Sequence, residues 1–72
     1  MHFHEHLKII KERRETLRVT QEALAELSGV GLRTIKQFES GKGNPTLLTL
    51  QKLADILGME VSIRLKNTSS DQ

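Results

Sequence analysis

Arg33, Lys36 and Gln37 stand close together in the stretch LRTIKQFE, and their types suit hydrogen bonding to the edges of bases. An arginine guanidinium can donate two parallel bonds to guanine O6 and N7, and a glutamine amide matches adenine N6 and N7. Each good pair is worth about 1–3 kcal/mol of discrimination between bases. Lys36 is a third candidate for base contact. Four more residues suit phosphate. Thr20 and Gln21 come where a helix would begin, and there free backbone donors and the helix dipole favour an anion. Ser40 and Lys42 follow the stretch and could hold a second phosphate.

Other chemistry finds no support in the chain. There is no cysteine, so no thiol nucleophile, disulfide or thiolate metal site. His2, His4 and His6 alternate and could hold a metal on an extended backbone, but a chain end lacks the second shell that orients such ligands. Ser40-Gly41-Lys42-Gly43 lacks the upstream glycine of a phosphate loop and the Ser or Thr after its lysine. No nucleophile elbow or carboxylate pair is visible, so the chain is predicted to be no enzyme and to carry no cofactor or metal. No apolar run nears the roughly 18 residues of a membrane span, and Met-His-Phe-His-Glu-His lacks the order of a signal peptide, which predicts a cytoplasmic protein without a membrane partner.

The net charge of +2 is too small to argue for a polyanionic partner by itself, so the placement of the charges decides. From Gly31 to Lys42 three cations, Arg33, Lys36 and Lys42, face the single anion Glu39, whereas from Gln21 to Ser28 the charges are Glu22 and Glu26 alone. Of these two segments, the one that carries the candidate base readers is the positive one, a polarity that a simple solvated pattern could also produce.

The elements that must position these residues are helices. From about Glu5 to Leu17 strong helix formers predominate, and Phe3, Leu7, Ile10 and Leu17 share one side of the wheel. Thr20 offers an N-cap to a short second helix with Leu24, Ala25 and Leu27 as its buried stripe, stopping at Ser28-Gly29. A third helix begins after Gly31, which lacks the hydroxyl of a good cap. Ile35 and Phe38 face inward there, so Arg33 and Gln37 point away, Lys36 lies to one side and Leu32 packs at the core edge. The turn formers from Ser40 to Pro45 end it. Thr46 caps a fourth helix with Leu47, Leu50, Leu53, Ala54 and Leu57 on one face and Gly58 at its end. Ile9 and Leu48 point off these faces and Ile56 is marginal.

The period then drops to two: Met59, Val61, Ile63 and Leu65 alternate with polar residues, as in a half-buried strand over about 59–66. A lone strand leaves its backbone groups unpaired, and the economical partner is the same strand of a second copy; the alternative is an extended tail lying across its own domain. Residues 1–66 are therefore expected to form one domain that dimerises through Met59, Val61, Ile63 and Leu65, extended by Leu48 and Ile56. Residues 67–72 are expected to be a disordered tail. A domain of 72 residues buries only about 60% of its unfolded surface, so a second subunit would help it.

Arg14, between Ile10 and Leu17, and Glu39, near Ile35 and Phe38, place charge on apolar sides. Each needs a partner, and one ion pair between the helices would satisfy both.

The stretch TQEALAELSGVGLRTIKQFESGK reads as two short helices joined by a glycine turn, the arrangement that sets a second helix into a major groove. From about Glu5 to Gly58 the chain resembles the phage-repressor (Cro and Xre-like) helix-turn-helix family, through TQEALA and IKQFESGKGNPTLLTLQKLADILG. The continuation GMEVSIRLK resembles the HipB-like branch, antitoxins to a HipA-type kinase. These resemblances imply an all-α, lambda-repressor-like domain of four or five helices with a C-terminal β-strand. They also imply an Arg14–Glu39 pair of the kind common in the family, phosphate clamps at Thr20, Gln21, Ser40 and Lys42, a palindromic DNA operator as partner, and a HipA-like kinase toxin. A Cro-like repressor without a toxin and a protein-interaction module that reads no DNA are the alternatives.

Overall fold

The computed structural model describes residues 3–62 and Leu65, with side chains from Leu7 onward. Four helices follow in order: α1 (Phe3–Thr16), α2 (Gln21–Ser28), α3 (Leu32–Glu39) and α4 (Leu47–Ile56). Among the described residues there is no strand.

Local chemistry sets the helix ends. Thr20 and Thr46 cap α2 and α4, their hydroxyl oxygens accepting from the Ala23 and Thr49 amides at 3.0 and 3.1 Å. Gly31 precedes α3 and can offer no such bond. Gly29 ends α2 at φ 77°, a left-handed conformation that costs a side-chain-bearing residue about 1–2 kcal/mol. Its amide returns to the Ala25 carbonyl at 3.0 Å, so the chain turns within three residues and enters α3.

One core holds the helices. Leu7 and Ile10 of α1, Leu24 of α2, Val30 of the turn, Ile35 and Phe38 of α3, and Leu53 and Leu57 at α4 form a single buried cluster. Val19, Ala25, Leu50 and Met59 pack at its edge. α2 lies against both α3 and α4, and α1 against α3, so α3 has its apolar side covered by the two preceding helices. Arg13 ties α1 to the end of α4, its Nε donating to the Leu57 carbonyl at 3.0 Å.

Several expected core positions lie outside. Leu17 is 42% exposed because α1 ends at Thr16 and the next turn passes through Arg18 at φ 58°, which breaks the helical period. Leu27 is 62% exposed: the covered side of α2 runs through Gln21, Leu24, Ala25 and Ser28, and Leu27 falls beside it. Leu47, first residue of α4, is also exposed, whereas Ile9, Leu48 and Ile56 are exposed as their wheel positions imply.

The expected strand is not formed over Met59–Ser62. A single chain offers no second strand to complete a ladder, and Met59 instead packs on the core. Leu65, expected to be half-buried, is almost fully exposed. Ile63, Lys66, the tail 67–72 and the His2, His4 and His6 side chains lie outside the described residues.

Candidate nucleic-acid interface

α3 divides cleanly into two sides. Ile35 and Phe38 are buried, whereas Arg33, Thr34, Lys36 and Gln37 are exposed. Arg33, Lys36, Gln37, Ser40 and Lys42, with Leu32 at its margin, line one concavity of about 480 Å³. The candidate base readers and two of the candidate phosphate binders are thus brought to one surface. The loop beyond α3 is held to it: the Gln37 carbonyl accepts from both the Lys42 amide and the Ser40 hydroxyl at 2.8 Å. Lys42 is thereby fixed relative to Gln37 by backbone bonding. Ser40 already donates its only hydroxyl proton to that carbonyl, so contact with a phosphate would require the proton to turn outward.

Behind this surface lies a polar network. Arg14 Nε donates to Glu39 Oε2 at 2.7 Å and Arg14 Nη2 to Glu39 Oε1 at 2.9 Å, a two-pronged arrangement with both side chains nearly buried. The remaining arm of the guanidinium, Nη1, donates to the Val19 carbonyl at 2.7 Å, while the Val19 amide donates to the Arg14 carbonyl at 3.0 Å. Gln21 Nε2 completes the cluster by donating to Glu39 Oε1 at 2.9 Å. α1, the link to α2, the start of α2 and the end of α3 therefore share one hydrogen-bonded set. Bonding to Glu39 holds the Arg14 guanidinium above its already high ordinary pKa, against the opposing pull of burial.

Thr20 and Gln21 stand apart from the concavity, at the start of α2. Each retains a donor for an outside acceptor. Thr20 Oγ1 accepts from the Ala23 amide, which leaves its proton available, and the Gln21 carboxamide has a second N–H beyond the one given to Glu39. The Gln21–Glu39 and Arg13–Leu57 bonds had no expectation in the sequence. A glutamine at a helix start and an arginine on an exposed flank carry no spacing signal for partners 18 and 44 residues away.

Of the expected dimer residues, Leu48, Ile56 and Leu65 are exposed, and Val61 is partly covered. Met59 and Val61 line a concavity between α1 and α4 with Ile9, Ile10 and Leu50.

Comparison with known proteins agrees with this architecture. A family model described as helix-turn-helix matches residues 10–63. An uncharacterized HTH-type transcriptional regulator of Methanothermobacter thermautotrophicus is 42% identical over 52 residues, covering 72% of this chain and 75% of its own length. The transcriptional repressor RstR of the cryptic phage CTXphi, from Vibrio cholerae, is 43% identical over 58 residues, covering 75% of this chain and 50% of its own. The SPbeta prophage-derived HTH-type regulator YonR of Bacillus subtilis is 34% identical over 59 residues, covering 82% and 55%. The chain thus spans about half the length of two of these relatives and three quarters of the other.

Proposed function

Because this chain belongs to the helix-turn-helix family, we propose that it is a sequence-specific DNA-binding transcriptional repressor that acts as a homodimer on a two-fold operator. The observation that carries the reading is the division of α3. Ile35 and Phe38 anchor it, and Arg33, Lys36, Gln37 and Lys42 are left around one open concavity. In this reading Arg33 and Gln37 contact base edges with Lys36 beside them, and Thr20, Gln21, Ser40 and Lys42 hold phosphates on either side. The names of the three relatives, all regulators or repressors of transcription, support the assignment.

The homodimer draws support from the exposed Leu48, Ile56 and Leu65 and from the alternation over residues 59–66, whose backbone groups a second copy would pair. Two such subunits would set their α3 helices into successive major grooves about 34 Å apart. The resemblance of GMEVSIRLK to the HipB-like branch supports a finer reading, an autoregulating antitoxin of a HipA-like kinase in the cytoplasm. The phage and prophage origin of two relatives supports a repressor without a toxin. Co-purification with a kinase encoded beside it separates the two. The DNA reading itself is tested by comparing affinity for a duplex from the protein's own promoter with that for a scrambled duplex. Equal affinity for the two would favour a module that contacts only proteins.

A further inference from the structure

One basic cleft is absent from the assignments above. Lys8 and Lys11, three positions apart on α1, border a cavity of about 320 Å³ whose other wall is Phe38, Ser40 and Gly41 at the end of α3, with Leu7 at its base. Among the described residues, the one carboxylate on this cleft is Glu39. Both of its oxygens accept hydrogen bonds from Arg14, and one also accepts from Gln21, so its charge is already compensated. Neither lysine lies in an ion pair among the described residues, and the exposed Glu12 and Glu15 on the same helix do not engage them. Two ammonium groups without a described counter-ion thus stand beside Ser40, on the edge of the surface that carries Arg33, Gln37 and Lys42.

We propose that Lys8 and Lys11 bind phosphodiester groups of double-stranded DNA next to those taken by Ser40 and Lys42, so that α1 forms an additional backbone clamp. This rests on the DNA-binding reading of α3 and extends it to a helix outside the helix-turn-helix pair. α1 packs against α3, so when α3 occupies the groove its own side chains are kept from the bases, and what they can meet is the strand that walls the groove. A lysine suits that task as a mobile point charge with little demand on geometry. Such contacts carry no sequence information, but each releases a counter-ion from the duplex.

The test is fluorescence anisotropy of the full chain on promoter and scrambled duplexes over a salt series, with wild type, Lys8→Gln, Lys8→Gln/Lys11→Gln and Lys52→Gln. Lys52 is an exposed lysine of α4 that lines neither cleft. Loss of both α1 lysines should make the slope of log affinity against log salt shallower by about 1.8, and Lys8→Gln alone by about 0.9. Both effects should be equal on the two duplexes, with the ratio between duplexes kept and Lys52→Gln matching wild type. A wild-type slope in the double variant would overturn the proposal, as would the same change per lysine in Lys52→Gln, which would mark an effect of net charge alone. If wild type shows no preference for the promoter, sequence-specific repression fails while the slopes on scrambled DNA still decide the role of the lysines. No binding by wild type to either duplex overturns both.

Discussion

Gln21 and Glu39, the first residue of α2 and the last of α3, are joined by a 2.9 Å hydrogen bond from the glutamine Nε2 to the carboxylate Oε1. The same carboxylate is gripped by Arg14 of α1. One proton of the Gln21 amide group is therefore held in the internal network, and the other is left for an outside acceptor. The network that holds the helices together also fixes where Gln21, proposed above to hold a phosphate, stands relative to α3.

Removing one member of that network leaves a buried charge unpaired. Arg14→Met should cost about 3–5 kcal/mol in urea denaturation, whereas Arg14→Met/Glu39→Leu should cost far less because no charge is then orphaned. An unchanged melting temperature for Arg14→Met would show that the pair is not buried in solution. The pH dependence follows from the direction of the Arg14 shift. A cation whose pKa is raised on folding contributes its full stability below the unfolded value and loses it only as pH climbs through the folded one. For arginine that window is strongly alkaline, so the Arg14 contribution should stay constant through neutral and mildly alkaline pH.

Gln21 and Lys42 should fail differently although both are assigned to phosphate. Gln21→Ala removes a neutral donor, so it should weaken binding to promoter and scrambled duplexes alike and leave the salt slope unchanged. Lys42→Gln removes a cation and should reduce that slope by about 0.9. A change in the ratio between duplexes for either variant would move that residue from backbone contact to base contact.

Arg13 is assigned to the fold. Its Nε closes the end of α4 through the Leu57 carbonyl, so Arg13→Ala should destabilise the domain by about 0.5–1.5 kcal/mol in chemical denaturation. The preference for promoter over scrambled DNA should survive. Loss of that preference with unchanged stability would reverse the assignment.

Ile63→Pro tests the proposed strand pairing. A proline there removes a ladder donor, and the molecular mass by sedimentation should fall from that of a dimer to that of one chain. A dimer mass that persists would assign the association to Leu48 and Ile56 on α4 instead.

The helices were legible in the chain because their signals are local. Thr20, Gly29 and Thr46 act on backbone groups a few residues away, and Ile35 and Phe38 alternate with Arg33 and Gln37 at the period of the helix itself. Leu17, Leu27 and Leu47 misled because their exposure depends on where each short helix stops or starts and on which neighbour covers it. The alternating pattern that begins at Met59 needs a partner before it can become a ladder, so the pattern and the single-chain structure differ over Met59–Ser62. The Lys8 and Lys11 cleft was not legible because half of it comes from the end of α3, about 30 residues further along.

The most direct measurement of the central claim is the affinity of wild type and of Arg33→Ala/Gln37→Ala for promoter and scrambled duplexes by fluorescence anisotropy. Base reading by α3 predicts that wild type prefers the promoter. The double variant should lose that preference while keeping a weak, salt-sensitive affinity for both duplexes. A double variant that still distinguishes the two as wild type does would contradict the assignment of α3 as the reading helix.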